Sequence, residues 1–584
     1  MPVEWFRTQP PYRANVRYHT RLRIFTGNVR MRTLHFILLL FLTAAAPIMG
    51  QQQLVTSDVR AAMERLSADS LLRHARVLAH DSLEGRGTGS VGERRAAAYI
   101  ASELARAGIR PAGDDSTWFQ QFPLHASIPL AESRLSIVSE GTAHELELWE
   151  EYVLYKTGAQ TFLPQPLPLV FVGYGIIAPE FDYNDYYNVD VEDAIVVFLS
   201  GEPRSEDPDY FNGSWPTIHS IPEMKQRVAL SRGARGSITI PLPRDDQGFT
   251  WEDWRRIFSF EDVRLPITVP GHLSVLLRRE RCDLLFAGSG RTLNDVLGMD
   301  SANTIRSFPL ASRAKFSGVF RQRDFLSANV VGMLEGEDPL LKDSYIVLSA
   351  HYDHLGRGPA VNGDSIYNGF IDNAIGTAAV LELARVLAGQ DVMLRRSVVF
   401  LLVTGEEKGL LGSQYYCRNP VVPLHRTTAN LNIDGLAIID TFDDVVGVGA
   451  EFSTLQTHLL RIAYELGLAV SDLPPEVDIQ EAFSSSDQIA FAQVGIPSIL
   501  IMEGRQYRNL PDEEGLRQFI EWGRTHYHRP SDDAQQPVNA EAVRQHAAVL
   551  LAYLAGLANT YEPPQWVTGA RYINARLQSL AEER

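Results

Sequence analysis

Hydrophobic and polar positions in the last third of the chain alternate in two distinct patterns. Short, nearly continuous apolar runs between polar loops predict buried strands, and apolar residues spaced three or four apart predict a helix between the first two runs. The predicted strands are Tyr345–Ser349, Val398–Val403, Asn430–Ile433, Val445–Val448 and Ser498–Ile501, and the helix carries Ala374, Ala378, Leu381, Ala384 and Ala388. Apolar strands that alternate with helices indicate an α/β fold, in which a mixed, largely parallel sheet is flanked by helices.

The segment before this sheet contains a helix followed mainly by strands. Apolar residues at helical spacing from Ala97 to Ala107 precede Gly108, which stands where a C-terminal helix cap is expected. From Leu169 onward β-rich runs dominate, and this change indicates a small separate domain that ends near residue 310. The elements predicted there are the strands Val170–Gly175, Ala194–Leu199 and Ser237–Ile240 and the helix Met224–Ser231.

Length and composition agree with a protein of two or more domains. A chain of 584 residues is too long for one ordinary hydrophobic core. With 54 Lys and Arg against 71 Asp and Glu, the net charge is −17, which argues against a nucleic-acid partner because such a partner requires a basic surface. The acidic excess suits a site that binds cations or protonated amines, although a solvated acidic surface is its usual cause.

The N-terminal region carries the pattern of an export signal. Arg32 precedes the apolar run Leu34–Leu42, and small residues follow it. This order is typical of a secretory signal, and the run is too short to span a bilayer. We therefore expect residues 1–50 to be a signal region and the mature protein to be periplasmic or secreted, with no stable membrane insertion. Residues 1–30 are interpreted as a spurious extension before Met31. The alternative to the signal is a membrane-anchored N-terminal helix.

Side chains that bind metals follow three of the predicted strands. His351 comes just after the first strand, and Asp434 comes directly after the third. Glu406 and Glu407 follow the second strand. Because ligands gather at the carboxyl ends of the strands in such sheets, we expect these side chains at one edge of the sheet.

Asp372 at the start of the predicted helix and His528 in a late loop complete a set of candidate metal ligands. Histidine and carboxylate ligands without a thiolate suit zinc, or a related divalent metal, used in catalysis. Five ligands can hold two metals only if one carboxylate bridges them, and Asp372 is the natural bridge. Two metals that share a water molecule lower its pKa, polarise a substrate carbonyl and stabilise the oxyanion.

The adjacent residues Glu406 and Glu407 are expected to differ in role. Neighbours in the turn after a strand point in different directions, so one can bind metal while the other acts as general base and then as general acid. The residues alone do not decide which. Asp353, two residues after His351, can accept the second ring N–H of that histidine and fix its orientation.

Other polar residues in this region are given no required role. His354, His425, His458 and His526 are interpreted as structural, and Asp364 and Asp487 as ligands that the site does not need. The glycine-rich segment Glu84–Gly89 lacks the Lys-Ser/Thr of a phosphate-binding loop and is interpreted as a tight connection. Two thiols cannot form a cysteine-rich metal site, and whether Cys282 and Cys417 pair is left open.

Taken in order, the motifs resemble those of the co-catalytic zinc exopeptidases of clan MH. They are Ser349–Asp353, Asp372–Gly376, Thr404–Ser413, Asn432–Gly435, Ser486–Gln488 with Gly495–Pro497, and Tyr527–Pro530. The resemblance covers most of residues 330–535 and implies a hydrolase that acts on peptides.

The resemblance also implies a role for each motif residue. The expected ligands of one zinc ion are His351, Asp372 and Asp434, and those of the second are Asp372, Glu407 and His528. Glu406 is then expected to be the general acid/base, and Asp353 the orienting carboxylate. The peptide bond between Asp372 and Asn373 is expected to be cis.

The inserted β-rich stretch, with Tyr183–Tyr187 and the turn Arg232–Gly236, is similar to a protease-associated domain. The resemblance therefore divides the chain into an N-terminal part of the peptidase domain (54–162), the inserted domain (163–310), the catalytic domain (311–562) and a C-terminal tail (563–584). Two features near the pocket depart from the pattern of the family. Gln488 stands where many relatives have histidine, and the segment Glu503–His526 is long. Tyr507 within it is interpreted as a surface residue, and the alternative is a donor to the oxyanion.

The leading hypothesis is an aminopeptidase that binds the free amine of a peptide near the metals. A carboxypeptidase of the glutamate carboxypeptidase type needs a cationic pocket instead, and Arg505, Arg508 and Arg524 are candidate sources. A glutaminyl-peptide cyclotransferase shares the core but usually lacks the insert. A receptor with a decayed metal site is disfavoured because every ligand position is filled.

Overall fold

The computed structural model of the chain describes residues 53–155, 161–207, 209–213, 217–246, 250–268, 272–389, 392–473 and 479–581. The predicted export signal and the proposed start at Met31 lie outside the described residues. The described part of the predicted C-terminal tail ends in a helix, Ile573–Ala581.

The described residues begin with helices, form mainly strands from residue 110 to 199, and then combine strands with helices through the rest of the chain. The strands are β1 (Arg110–Pro111), β2 (Phe119–Pro129), β3 (Arg134–Ser139), β4 (Thr142–Glu147), β5 (Tyr152–Leu154), β6 (Phe162–Phe171), β7 (Ile177–Ala178), β8 (Tyr183–Asn184), β9 (Ile195–Leu199), β10 (Gly236–Ile240), β11 (Asp262–Arg264), β12 (Leu273–Leu277), β13 (Phe308–Ser317), β14 (Phe320–Leu334), β15 (Tyr345–His351), β16 (Gly356–Val361), β17 (Asp364–Tyr367), β18 (Ser397–Val403), β19 (Thr427–Ile433), β20 (Asp444–Val448), β21 (Ala469–Val470) and β22 (Ser498–Glu503). The helices are α1 (Ser57–Glu64), α2 (Ala68–Leu78), α3 (Val91–Arg106), α4 (Pro222–Ser231), α5 (Trp251–Phe258), α6 (Asp283–Phe286), α7 (Leu293–Ser301), α8 (Ile375–Leu387), α9 (Leu411–Arg418), α10 (Leu455–Leu466), α11 (Ile479–Ser484), α12 (Gln488–Gln493), α13 (Asp512–Thr525), α14 (Ala540–Asn559) and α15 (Ile573–Ala581).

The larger sheet has the order β11-β2-β14-β18-β15-β19-β22-β20-β21, with β1 paired to β14. Its central strands β18, β15, β19 and β22 run parallel, whereas the pairs β14–β18 and β20–β22 are antiparallel. The predicted mixed α/β sheet is therefore confirmed, and its parallel part is the centre. Parallel strands require crossover connections, which place helices on the faces of the sheet.

Alternate residues of the central strands enter separate cores on the two faces of this sheet. Val398, Phe400 and Leu402 of β18 belong to the core that includes α8 and α14. Val399 and Leu401 belong to the core that includes residues of α9 and α12. Both faces are therefore covered, which is why β18 is apolar at nearly every position rather than at every second one.

The predicted elements of the last third are found within a few residues of their expected limits. In the β-rich segment before it, the predicted strand Val170–Gly175 is shorter than expected, because β6 ends at Phe171. Gly173 and Gly175 adopt φ values of +55° and +74°, in the left-handed region that turns the chain out of the strand.

A second sheet has the order β4-β3-β13-β6-β9-β10-β12-β5 and its own hydrophobic core. It includes β3, β4, β5 and the whole of β13. The sheet therefore extends beyond 163–310, the predicted limits of the inserted domain, on both sides. Strand β11, between β10 and β12 in sequence, pairs instead with β2 of the larger sheet. Cys282 and Cys417 are buried free thiols in different cores.

None of the helices in the described part of the chain combines the length and the apolar character needed to cross a membrane.

The contribution of the central sheet can be tested at Phe400. Its side chain is fully buried in β18, so Phe400→Ala removes apolar contacts and leaves a cavity. We expect the free energy of unfolding to fall by about 3–5 kcal/mol, measured by chemical denaturation. Leu340→Ala is the control, because that side chain is 88% exposed. Equal losses in the two variants would contradict the assigned core.

Candidate metal centre

Three neighbouring parallel strands deliver the candidate ligands to one edge of the larger sheet. His351 is the last residue of β15, and Asp434 directly follows β19. Glu406 and Glu407 lie in the turn after β18. Since β15 pairs with both β18 and β19 in parallel, their carboxyl ends meet.

The five predicted metal ligands come together in two groups that share Asp372. In the first group, Nε2 of His351 lies 3.3 Å from Oδ1 of Asp372 and 3.3 Å from Oδ1 of Asp434. In the second group, Nε2 of His528 lies 3.2 Å from Oδ2 of Asp372 and 3.0 Å from Oε2 of Glu407. Asp372 thus presents a different oxygen to each group, as a bridging carboxylate must.

The spacing of these atoms fits zinc. Zinc binds nitrogen and oxygen ligands at about 2.0–2.2 Å, so two ligands of one tetrahedral ion lie roughly 3.3 Å apart. The nitrogen–oxygen distances in both groups lie between 3.0 and 3.3 Å. Nε2 of His528 is buried but makes no hydrogen bond of acceptable geometry within the described residues. Metal coordination satisfies such an atom without one.

His354 also lies in this centre, although the sequence analysis interpreted it as structural. Its Nδ1 atom is 2.6 Å from Oε1 of Glu407, and its ring is fully buried. His354, Asp372 and Glu407 form a second arrangement that could hold a metal ion. The available signal was its position, three residues after His351 and just past the end of a strand.

The two adjacent glutamates have opposite electrostatic environments. Burial, with the charges of Asp434 and Glu407, raises the pKa of Glu406 well above its usual value. Burial acts in the same direction on Glu407, but His528 and His354 outweigh it and hold the pKa of Glu407 well below its usual value. A carboxylate that stays ionised suits a metal ligand, and one that takes up a proton readily suits a general base.

Asp353 orients His351 differently from the prediction. Nδ1 of His351 lies 3.2 Å from the main-chain carbonyl oxygen of Asp353 and 3.9 Å from its carboxylate. That carboxylate accepts hydrogen bonds from the Thr88 hydroxyl at 3.0 Å and from the Glu406 main-chain N–H at 3.2 Å. Burial raises the pKa of Asp353 to about 6. The backbone therefore holds the histidine ring, while the carboxylate connects the Thr88 loop to the general-base candidate.

The glycine-rich segment Glu84–Gly89, interpreted above as a tight connection, makes hydrogen bonds that hold residues of the site in place. Thr88 reaches Asp353, and Arg86 is fully buried. The Arg86 guanidinium donates to the main-chain carbonyl oxygens of Leu78, Tyr352, Asn368 and Gly369. A side chain at Gly85 would collide with a neighbouring carbonyl oxygen, which explains the glycine. An arginine inside a glycine-rich segment was the signal for this role.

Asp532 holds the main chain of the bridging residue. Its carboxylate accepts the N–H of Ile371 at 2.9 Å and that of Asp372 at 3.1 Å. The expected cis peptide bond between Asp372 and Asn373 is present. No role was predicted for Asp532, although it lies four residues after His528 in the same loop.

The other acidic candidates and Gln488 are not members of the two groups. Asp364 is exposed on β17. Asp487 is buried and accepts the Ser413 hydroxyl at 2.5 Å. Gln488 accepts a hydrogen bond from Asn432 at 3.0 Å, so it supports β19 rather than forming a pocket wall.

Helix α5, which lies between strands of the second sheet in sequence, contacts the loop that carries His528. The buried Arg256 donates to the main-chain carbonyl oxygen of His528 at 2.5 Å. Asp253 on the same helix accepts a hydrogen bond from Arg529 at 2.9 Å. His528 adopts φ of +54°, which is uncommon for a residue other than glycine. The contacts from α5 thus hold this backbone in place.

A pocket opens beside the metal-binding groups. Its acidic lining residues are Asp372, Glu406, Asp434 and Glu503, and its apolar ones are Ile371, Leu436, Ile438, Met502, Phe519 and Trp522. No lysine or arginine is among the described residues that line it. Arg508 pairs with Asp443 and Arg524 with Glu521, both near the surface.

Tyr527, rather than Tyr507, is the tyrosine that lines this pocket. Its ring stacks on the His528 ring, with centroids 3.8 Å apart and an interplanar angle of 19°. Burial, followed by the charges of Asp372 and Glu407, raises the pKa of Tyr527 well above its usual value. The phenol therefore stays protonated and can act as a donor.

Residues 329–554 match the family model of Peptidase family M28. This match confirms the predicted resemblance to zinc exopeptidases for that part of the chain. A probable zinc metalloprotease of Pyrenophora teres f. teres (strain 0-1) is 36% identical over 136 residues, which cover 23% of this chain and 26% of that protein. Aminopeptidase YwaD of Bacillus subtilis (strain 168) is 31% identical over 267 residues, which cover 44% of this chain and 50% of that protein. The chain thus spans at most half the length of these two relatives.

Among solved structures, an aminopeptidase from Aneurinibacillus sp. strain AM-1 shares the fold. It superposes with a TM-score of 0.52 at 16% sequence identity and covers 87% of this chain and 97% of its own. At this identity the likeness extends to the fold alone.

The contact from α5 can be tested with Arg256→Met. Because the His528 backbone loses its donor, we expect the affinity for zinc to fall by about 10–100-fold. Competition with a chromophoric chelator measures this affinity. The control is Arg255→Met on the same helix, whose partners are Glu150 and Glu252. Equal zinc affinities in the two variants would mean that α5 does not support the loop.

Proposed function

We propose that the protein is a metal-dependent exopeptidase and, more specifically, an aminopeptidase that removes N-terminal residues from peptides. In this proposal His351, Asp372 and Asp434 hold one zinc ion, and Asp372, Glu407 and His528 hold a second. The convergence of both groups on the two oxygens of Asp372 supports the count of two. His354 contacts Glu407 and is the alternative histidine of the second group.

Zinc ions held in these groups supply Lewis acidity, which lowers the pKa of a water molecule and stabilises negative charge on a carbonyl oxygen. Glu406 takes the proton of the attacking water on its carboxylate and delivers it to the leaving amine. Its raised pKa favours this shuttle, because a more basic carboxylate accepts the proton more readily. Tyr527 donates a hydrogen bond to the carbonyl oxygen as charge develops there.

The negative charge of the pocket lining favours aminopeptidase over carboxypeptidase activity. Four acidic residues line the pocket, and no described lining residue is a lysine or an arginine. A protonated α-amine is attracted to such a lining, whereas an α-carboxylate is repelled by it. Of the arginines considered as sources of a carboxylate site, none lines the described pocket, and Arg508 and Arg524 are paired with acids.

The wider organisation of the protein forms part of this proposal. The second sheet supports an inserted domain that resembles a protease-associated domain, since it has its own core. Export to the periplasm or the medium rests on the basic and apolar pattern from Arg32 to Leu42, which lies outside the described residues.

The proposed reaction can be tested with chromogenic aminoacyl reporters and with peptides blocked at the N-terminus. We expect hydrolysis of aminoacyl-p-nitroanilides, loss of that activity after chelation and its return with zinc. N-terminally blocked peptides should resist cleavage, because the blocked amine cannot pair with the acidic pocket. Release of the C-terminal residue from blocked peptides would establish a carboxypeptidase instead. Cyclisation of N-terminal glutamine without hydrolysis would establish a cyclotransferase.

The role of Glu406 can be separated from metal binding with Glu406→Gln. We expect kcat to fall by about 10²–10⁴-fold while the zinc content stays at the wild-type level, because only the proton shuttle is removed. Glu407→Gln is the matched control at the adjacent position and should lose zinc. Metal loss in the first variant and retention in the second would reverse the assignment of the two glutamates.

A further inference from the structure

The pocket beside the metal-binding groups contains a carboxylate that the proposed mechanism does not use. Asp372, Glu406 and Asp434 line it where the reaction takes place, whereas Glu503 is contributed by the end of β22. Met502 and Glu503 are half-buried, in contrast to the fully buried residues before them in the strand. The pocket therefore has three acidic residues at the metal-binding groups and a fourth, Glu503, at the end of β22.

The alternation of β22 indicates that the Glu503 side chain faces this pocket. Residues two apart in a strand lie on the same face of the sheet, so Glu503 shares a face with Ile501. Ile501 belongs to the core that also contains Leu436 and Ile438, both of which line the pocket. The side chain of Met502 packs into a core on the opposite face. The carboxylate of Glu503 thus lies among the apolar walls of the pocket.

Among the described residues that line the pocket, no lysine or arginine balances the charge of Glu503. Burial is the main reason that the pKa of Glu503 is raised to about 7, and the nearby charge of Asp444 acts in the same direction. The one stabilising contribution comes from the residue's own main chain. Arg508, the nearest arginine in sequence with a described ion pair, is engaged with Asp443. A buried carboxylate without a partner is costly, and a cation that binds beside it removes that cost.

We propose that this pocket selects substrates whose N-terminal residue is arginine or lysine, with Glu503 pairing with the cationic end of the side chain. The inference rests on the proposed aminopeptidase function, which places the N-terminal residue in the pocket. The apolar walls formed by Ile371, Leu436, Ile438 and Trp522 cover the aliphatic stem of such a side chain. A guanidinium can pair with a carboxylate through two parallel hydrogen bonds, so arginine is preferred over lysine.

The acidic groups have separate tasks in this arrangement. The carboxylates around the metal-binding groups attract the α-amine, and Glu503 attracts the side-chain cation. A neutral side chain of the same length fills the apolar walls but leaves the Glu503 carboxylate unpaired. Discrimination between arginine and leucine therefore depends on one residue outside the catalytic machinery.

The test compares two substrates in the zinc-loaded enzyme. We expect kcat/KM for arginyl-p-nitroanilide to exceed that for leucyl-p-nitroanilide by at least about tenfold. In Glu503→Gln, which keeps the shape and removes the charge, this ratio should fall by about tenfold or more. Glu503→Asp keeps the charge and should retain part of the preference. Glu562→Gln, at an exposed glutamate just before the C-terminal tail, is the matched control and should leave the ratio unchanged.

A binding measurement separates this inference from the proposed reaction. Calorimetry with argininamide and leucinamide on the zinc-loaded protein needs no turnover, and thermal unfolding of each variant reports its folding. Tighter binding of argininamide that is lost in Glu503→Gln would support the pocket even if no aminoacyl reporter is hydrolysed, in which case only the aminopeptidase proposal fails. Equal binding of the two amides, or a preference that survives Glu503→Gln, would overturn the inference whatever the activity.

Discussion

The carboxylate of Asp372 is the element on which the geometry of the site depends. One oxygen lies 3.3 Å from His351 and the other 3.2 Å from His528, so a single side chain sets the distance between the two groups. Burying several carboxylates together is unfavourable unless cations and hydrogen-bond donors neutralise them. The chain supplies part of that neutralisation through imidazole rings and main-chain N–H groups, and the proposed metal ions supply the remainder.

Support for this centre comes from parts of the chain that are far apart in sequence. Arg86 and Thr88 reach it from the N-terminal segment, and Arg256 reaches it from a helix associated with the second sheet. All three residues precede the part of the chain that matches the peptidase family, residues 329–554. The family segment carries the candidate ligands, but their orientation depends on donors outside it. The N-terminal segment therefore forms part of the same structural unit.

The charge distribution gives the two sides of the pocket different properties. Near the metal-binding groups, histidines and acids are interleaved, so the pKa of Glu407 is held below its usual value while that of the neighbouring Glu406 is raised by burial and nearby carboxylates. At the end of β22, Glu503 stands among apolar walls, and no lysine or arginine is among the described residues that line this pocket. Three glutamates in and beside this pocket thus have three different environments. Helix α13 contributes Phe519 and Trp522 to its walls, which accounts for the long segment between β22 and His528.

The sequence by itself determined the central strands, the helices α3 and α8 and the candidate ligands, because strand and helix periodicity and ligand chemistry are local properties. The strand order beyond the parallel centre, the role of His354 and the contact of the His351 ring with a backbone carbonyl were decided by tertiary structure. These features depend on strand register and side-chain direction, which local patterns do not encode. Arg86, Arg256 and Glu503 acquire their roles only when distant segments pack together, since each depends on partners far away in sequence.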